Sequence, residues 1–236
     1  MGGEFAIAEL PQPKRTSLSE SVADTIAEAI STGILSPGER IVETTLVEKL
    51  GVSRVPVREA LKVLHAQGII SGGGHRGYRI ATFEAGVTQQ IMEVRLSLES
   101  FLLRDAISNW RRGTGNPSVL QTSINHMKAS AAAGSLRNSL VADLEFHRAI
   151  RDAADNAIVG TLWDTIARHV LIIFNFERYR DEDLEAIPRQ HEHFRDWILT
   201  QIAGPRPPAF KDIQAALEDH MLLIARKKRG ETSISN

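Results

Sequence analysis

Residues 40–62, RIVETTLVEKLGVSRVPVREALK, constrain this chain most. Two short helical patterns meet at Gly51, where glycine permits the sharp turn that joins two helices. In the second pattern Arg54, Arg58 and Lys62 recur every four residues and so share one helix face. Val57, Ala60, Leu61 and Leu64 fall on the opposite, apolar side. One face suited to a core and one suited to anions is what a helix needs in order to lie in the DNA major groove. Ser53 is placed to cap this helix. Pro56 is tolerated in its first turn, where the missing N–H has no intrahelical partner.

Charge supports that reading by its distribution rather than its total. The chain carries a net charge of −1, yet residues 49–79 hold Lys49, Arg54, Arg58, Lys62, Arg76 and Arg79 against Glu59 alone. A basic patch on a near-neutral chain suits salt-sensitive contact with phosphates, the other reading being a solvated basic surface. The 236 residues contain no cysteine, which excludes disulfides and thiolate metal sites and makes a reducing cytoplasm the expected compartment. No apolar run approaches the roughly 20 residues of a membrane span, so no membrane partner is expected. MGGEFAIAELPQPKRTS lacks a basic stretch before an apolar core, so a tail over 1–16 is expected rather than a signal peptide.

The spacing predicts a first helix over 17–30, capped by Ser17 or Ser19, with Leu18, Val22, Ile26 and Ile30 as its apolar stripe and Gly33 as its stop. Ser36-Pro37-Gly38-Glu39 reads as a turn. A helix follows over 43–50 with Leu46, Val47 and Leu50 inward, and the basic helix runs to about Gln67 before Gly68. Ile69-Ile70 and Tyr78 to Ala81 read as short strands around the glycine-rich tip 72–77, where His75 and Arg76 supply donors beside Gly77: a β-wing. After Thr82 the pattern is helical throughout, near 84–110, 117–133, 137–154, 157–180, 185–203 and 208–228, with breaks at Asn156 and at 204–208. The expected fold is mainly α: an N-terminal winged helix-turn-helix over 17–82 and a C-terminal all-α helical bundle over 83–230, followed by a tail over 231–236.

Three phrases resemble the GntR family of bacterial transcription regulators. They are Gly33-x-Leu35-x-Pro37-Gly38-Glu39-Arg40, the run Gly51 to Leu61, and Leu64-x-x-x-Gly68. Val55 stands where a threonine is common in that family. The resemblance implies that the arginines at 54 and 58 contact bases and backbone, with the wing in the adjacent minor groove. The candidate DNA-binding residues are therefore Ser53, Arg54, Val55, Arg58, Lys62, His75, Arg76 and Gly77. The later helices resemble the FCD effector domain of the FadR-type branch through Glu93-Val94-Arg95-x-x-Leu98-Glu99, Asp143-x-x-x-His147-Arg148-Ala149-Ile150, and Asn156.

Asp143 and His147 are four apart and can grip one ion from one helix face, although such a pair is also an ordinary exposed feature. A histidine within 189–194, together with His220, completes a His₃Asp set suited to zinc, nickel or manganese. The family pattern implied by the resemblance places apolar residues three and seven positions beyond the third histidine. His191 meets this with Phe194 and Ile198; His193 is the second choice. The segment from there to His220 is longer than usual for the family, with 204–208 as the insertion. By the same resemblance Arg95 reaches an effector pocket, where a guanidinium matches the carboxylate of an organic acid. The other reading of Arg95 is a surface pair with Glu99. His126 reads as a surface residue, and His169 as a pocket-lining or packed one.

A regulator is expected rather than an enzyme: a repressor that binds a palindromic double-stranded operator as a homodimer and responds to a small organic acid. Two alternatives stand beside it: a metal-dependent hydrolase-like enzyme fused to a DNA-binding module, and a DNA-binding protein without a ligand. A His₃Asp metal could activate water. Against hydrolysis, the sequence shows no Gly-x-Ser-x-Gly elbow and no phosphate loop.

Overall fold

The computed structural model describes residues 17–31, 33–73, 77–82, 85–177 and 183–226, without side-chain detail at 85, 173–177 and 222–226. Helix α1 (Leu18–Ser31) buries Val22, Ile26 and Ile30 of its predicted stripe, while Leu18 at its open end is exposed. Ser17 caps it, its hydroxyl accepting the Glu20 N–H at 3.3 Å. Helix α2 (Glu43–Leu50) ends at Gly51, whose left-handed backbone (φ 64°) turns the chain and donates its N–H to the Val47 carbonyl. Helix α3 (Arg54–Ala66) buries Val57, Ala60, Leu61 and Leu64 against α1, as its four-residue spacing requires. Ser53 sits at the α3 N-cap with extended backbone, but its side chain makes no cap hydrogen bond, contrary to the sequence expectation.

Three short strands complete this half: β1 (Arg40–Ile41), β2 (Ile70–Gly72) and β3 (Tyr78–Ile80), in the order β1-β3-β2 with antiparallel pairing. The pattern of the sequence had not marked β1, which is two residues long and carries no alternation to read. The backbone at Gly72 and Gly77 approaches closely: a Cβ on Gly72 (φ 90°) would lie 2.6 Å from the Gly77 carbonyl oxygen. His75 and Arg76 lie outside the described residues.

The remaining described residues form six helices: α4 (Ala85–Arg111), α5 (Val119–Ala132), α6 (Leu136–Ala154), α7 (Ala157–Glu177), α8 (Ala186–Ala203) and α9 (Phe210–Arg226). Their shared core includes Leu103, Ile124, Phe146, Trp163, Ile198 and Leu217. The α6–α7 break is built from side chains. Asp155 adopts φ 48°, Asn109 donates to the Ala153 and Ala154 carbonyls, and Asn156 accepts the Val159 N–H while donating to Asp105. No described helix is long and apolar enough to cross a membrane.

Helix α7 also touches the winged half. Ile172 is fully buried in the α1–α3 core. Arg168 donates to Glu20 and Asp24 on α1 and to the Gln67 side chain, and the His169 Nε2 lies 2.7 Å from the Gln67 carbonyl.

Candidate metal centre and nucleic-acid interface

The basic face of α3 is open. Ser53, Arg54, Val55, Arg58 and Lys62 are all exposed, with the side chains of Arg58 and Lys62 61% and 66% accessible. Val57, Ala60 and Leu61 anchor the opposite face, so the cations cannot turn inward without unpacking the helix. Lys62 is paired with Glu59 at 2.8 Å, which holds its ammonium pKa above the usual value. Arg58 donates its Nε to both carboxylate oxygens of Glu43, at 2.9 and 3.0 Å. Gly77, at the base of the wing, has φ 70°.

The second site lies inside the helical bundle. Ring nitrogens of His147, His191 and His220 come within 4.8 Å of one another, all three residues buried. Asp143, one turn before His147 on α6, places its Oδ1 3.1 Å from the His191 Nε2. His191, rather than the exposed His193, faces this cluster. The reason is visible along α8: Ile187, His191, Phe194 and Ile198 form its buried face, which puts position 193 outside.

Proton bookkeeping shows what the cluster suits. The Ile187 carbonyl, 2.9 Å from the His191 Nδ1, can only accept, so that nitrogen carries the proton. The ring's Nε2 faces the Asp143 Oδ1 at 3.1 Å, an ion pair when Nε2 carries a proton as well. A cation between the carboxylate and the ring nitrogen would take the place of that proton, with the neutral imidazole as its ligand. Carboxylate plus three imidazoles is a donor set for a first-row divalent metal.

Beside the histidines lies a charged network that the sequence only half marked. Arg95 and Glu99, one turn apart on α4, are 1% and 4% exposed, so their pair belongs to the interior and not to the surface. The Glu99 Oε1 accepts from the Arg95 Nε at 2.7 Å and the Trp163 Nε1 at 3.0 Å, while its Oε2 lies 2.8 Å from the His147 Nδ1. Burial pushes the Glu99 carboxyl up, but Arg95 and His147 outweigh it and hold it down to about 2. Burial lowers the His147 pKa, with Glu99 opposing. Glu99 stands four residues after Arg95, a spacing that could have paired them; nothing in the sequence points to Trp163. His126 is a surface residue beside Glu145, as read from the sequence. His169 packs between the two halves, its pKa lowered chiefly by burial.

An exposed cationic helix in a three-stranded winged fold, joined to a helical bundle with a buried polar centre, defines a DNA-binding regulator with a separate sensory domain. The model of the bacterial regulatory proteins of the gntR family matches residues 18–80, and that of the FCD domain matches 90–203. The chain is 30% identical over 159 residues to the "Probable D-xylose utilization operon transcriptional repressor" of Paenarthrobacter nicotinovorans, covering 67% of this chain and 69% of that protein. It is 27% identical to the Glc operon transcriptional activator of Escherichia coli K12, over 84% and 87% of the two chains. The fold superimposes on that of Escherichia coli McbR/YncC with a TM-score of 0.70 at 18% identity, over 91% of this chain and 96% of that one. The chain belongs to the GntR family and carries an FCD domain. It is a DNA-binding regulator of transcription, and its two-domain build fits control by a ligand.

Proposed function

We propose that this regulator binds a divalent metal through Asp143, His147, His191 and His220, and that a small organic acid bound beside it alters operator affinity. The observation that carries this reading is the cluster of three buried histidines whose ring nitrogens lie within 4.8 Å of one another, with the Asp143 Oδ1 3.1 Å from the His191 Nε2. A bound metal would supply a fixed positive centre for an anionic ligand. Arg95 supplies a second, though Glu99 already engages its Nε, so the effector carboxylate must fit beside that pair or displace it. The names of two Bacillus relatives refer to a gluconate operon, which places sugar acids among the acids to be screened.

On the DNA side Ser53, Arg54, Val55, Arg58, Lys62 and Gly77 form the operator face, joined by His75 and Arg76 of the wing. The chain acts as a homodimer, which sets two α3 helices in successive major grooves of a palindromic site, roughly 34–36 Å apart. It works as a repressor and not as an enzyme, in the cytoplasm; the regulators among its relatives support this reading over a hydrolase.

Metal content of the purified protein tests the centre. Wild type should carry about one zinc, nickel or manganese per chain, His147→Ala and His191→Ala should carry far less, and His193→Ala should match wild type. Full occupancy in His191→Ala with loss in His193→Ala would reassign the third ligand. No metal in any form would remove the centre. A thermal-shift screen of carboxylic and sugar acids on the metal-loaded protein then seeks the effector, since a ligand at 100 Kd stabilises by about 2.7 kcal/mol.

A further inference from the structure

Arg58 has a fixed partner before any DNA arrives. Glu43 is the first residue of α2, fifteen positions away in the chain, yet both of its carboxylate oxygens accept from one donor, the Arg58 Nε. Among the described residues only that nitrogen is engaged and the Nη groups at the far edge of the guanidinium make no hydrogen bond; the side chain is 61% exposed. The other α3 cations are held differently: Lys62 by Glu59 of its own helix, and Arg54, among the described residues, by no hydrogen bond or ion pair.

We infer that Glu43 is a positioning residue for sequence reading. It anchors Arg58 by the inner edge and presents the outer N–H fork to a base. A guanidinium reads guanine through two parallel N–H donors to O6 and N7, which demands a fixed plane. A free arginine on an exposed helix has many rotamers to lose, and its charge is drawn equally well to the nearest phosphate. The Glu43 carboxylate removes both alternatives: it fixes one edge of the plane, and its charge repels the phosphate that would otherwise capture Arg58. This inference rests on the reading of α3 as the operator-contacting helix.

The test is selection from a random duplex pool with wild type, Glu43→Gln, Glu43→Asp and Arg58→Ala, followed by titration of the enriched duplexes at several salt concentrations. Wild type should select a strong guanine at one position of each half-site. Glu43→Gln should flatten the preference at that position alone by about tenfold. Its melting temperature should stay near that of wild type, and its salt slope should be equal or steeper as Arg58 turns to phosphate. Glu43→Asp should retain part of the preference, and Glu43→Gln combined with Arg58→Ala should be no worse than Arg58→Ala. An unchanged guanine preference in Glu43→Gln, or a uniform gain in affinity for all sequences, overturns the inference and makes Glu43 a plain acidic neighbour. Failure of wild type to enrich any sequence would instead overturn the operator-helix reading beneath it.

Discussion

Glu99 ties the centre together at the level of single atoms, with Arg95 and Trp163 on one oxygen and His147 at the other. Removing one partner of a buried pair strands the other charge, at a cost of about 3–5 kcal/mol. Glu99→Gln should therefore lower the urea-derived stability by that order, and Arg95→Met with Glu99→Leu should lose less than the single change. A loss below about 1 kcal/mol for Glu99→Gln would show that Arg95 does not depend on it. Asn109 offers a second residue-level check. It satisfies the last carbonyls of α6, so Asn109→Ala should cost about 1–2 kcal/mol by the same assay, and an unchanged midpoint would show the cap to be idle.

Among the helices, α7 joins the two halves. Trp163 meets the Glu99 network, and five residues later Arg168 engages α1, followed by His169 at Gln67 and Ile172 in the winged core. A helix that meets the Glu99 network through Trp163 and the DNA-binding half along its middle would offer a physical route for coupling the proposed metal centre to DNA binding. Arg168→Ala should leave metal content intact while reducing any metal-dependent change in DNA affinity; full retention of that change would take α7 out of the route. His169 adds a pH signature. Burial lowers its folded pKa below the ordinary value of about 6.5, so the unfolded chain takes the proton first. The stability it permits is complete above about pH 6.5 and falls as pH drops through that value. Thermal melting between pH 7.5 and 5.5 should show a shallower decline in His169→Gln than in wild type, and parallel curves would exclude His169 as a contributor.

At the scale of the whole molecule, the sequence was readable where period and chemistry coincide. Arg54, Arg58 and Lys62 declare their face because a helix repeats nearly every four residues, while the choice of His191 over His193 came from the apolar positions that the family resemblance implies. The helical order of the second half followed from its breaks at Asn156 and 204–208. What stayed hidden depends on distance along the chain. Strand β1 is only two residues long, Glu43 meets Arg58 across a turn, Trp163 reaches Glu99 from another helix, and Arg168 finds its partners in a different domain. No local pattern carries those pairings, because folding and not spacing brings them together.

The central claim is that a buried metal centre and an operator-binding face belong to one responsive molecule. Fluorescence anisotropy at a fixed salt concentration tests it most directly, with the selected duplex titrated by chelator-stripped wild type, zinc-reloaded wild type and His147→Ala. The account predicts that stripped and reloaded wild type differ in Kd by about fivefold or more, the lower range of allosteric coupling, while His147→Ala does not respond to zinc. Equal affinity in all three, or an undiminished zinc response in His147→Ala, would contradict it.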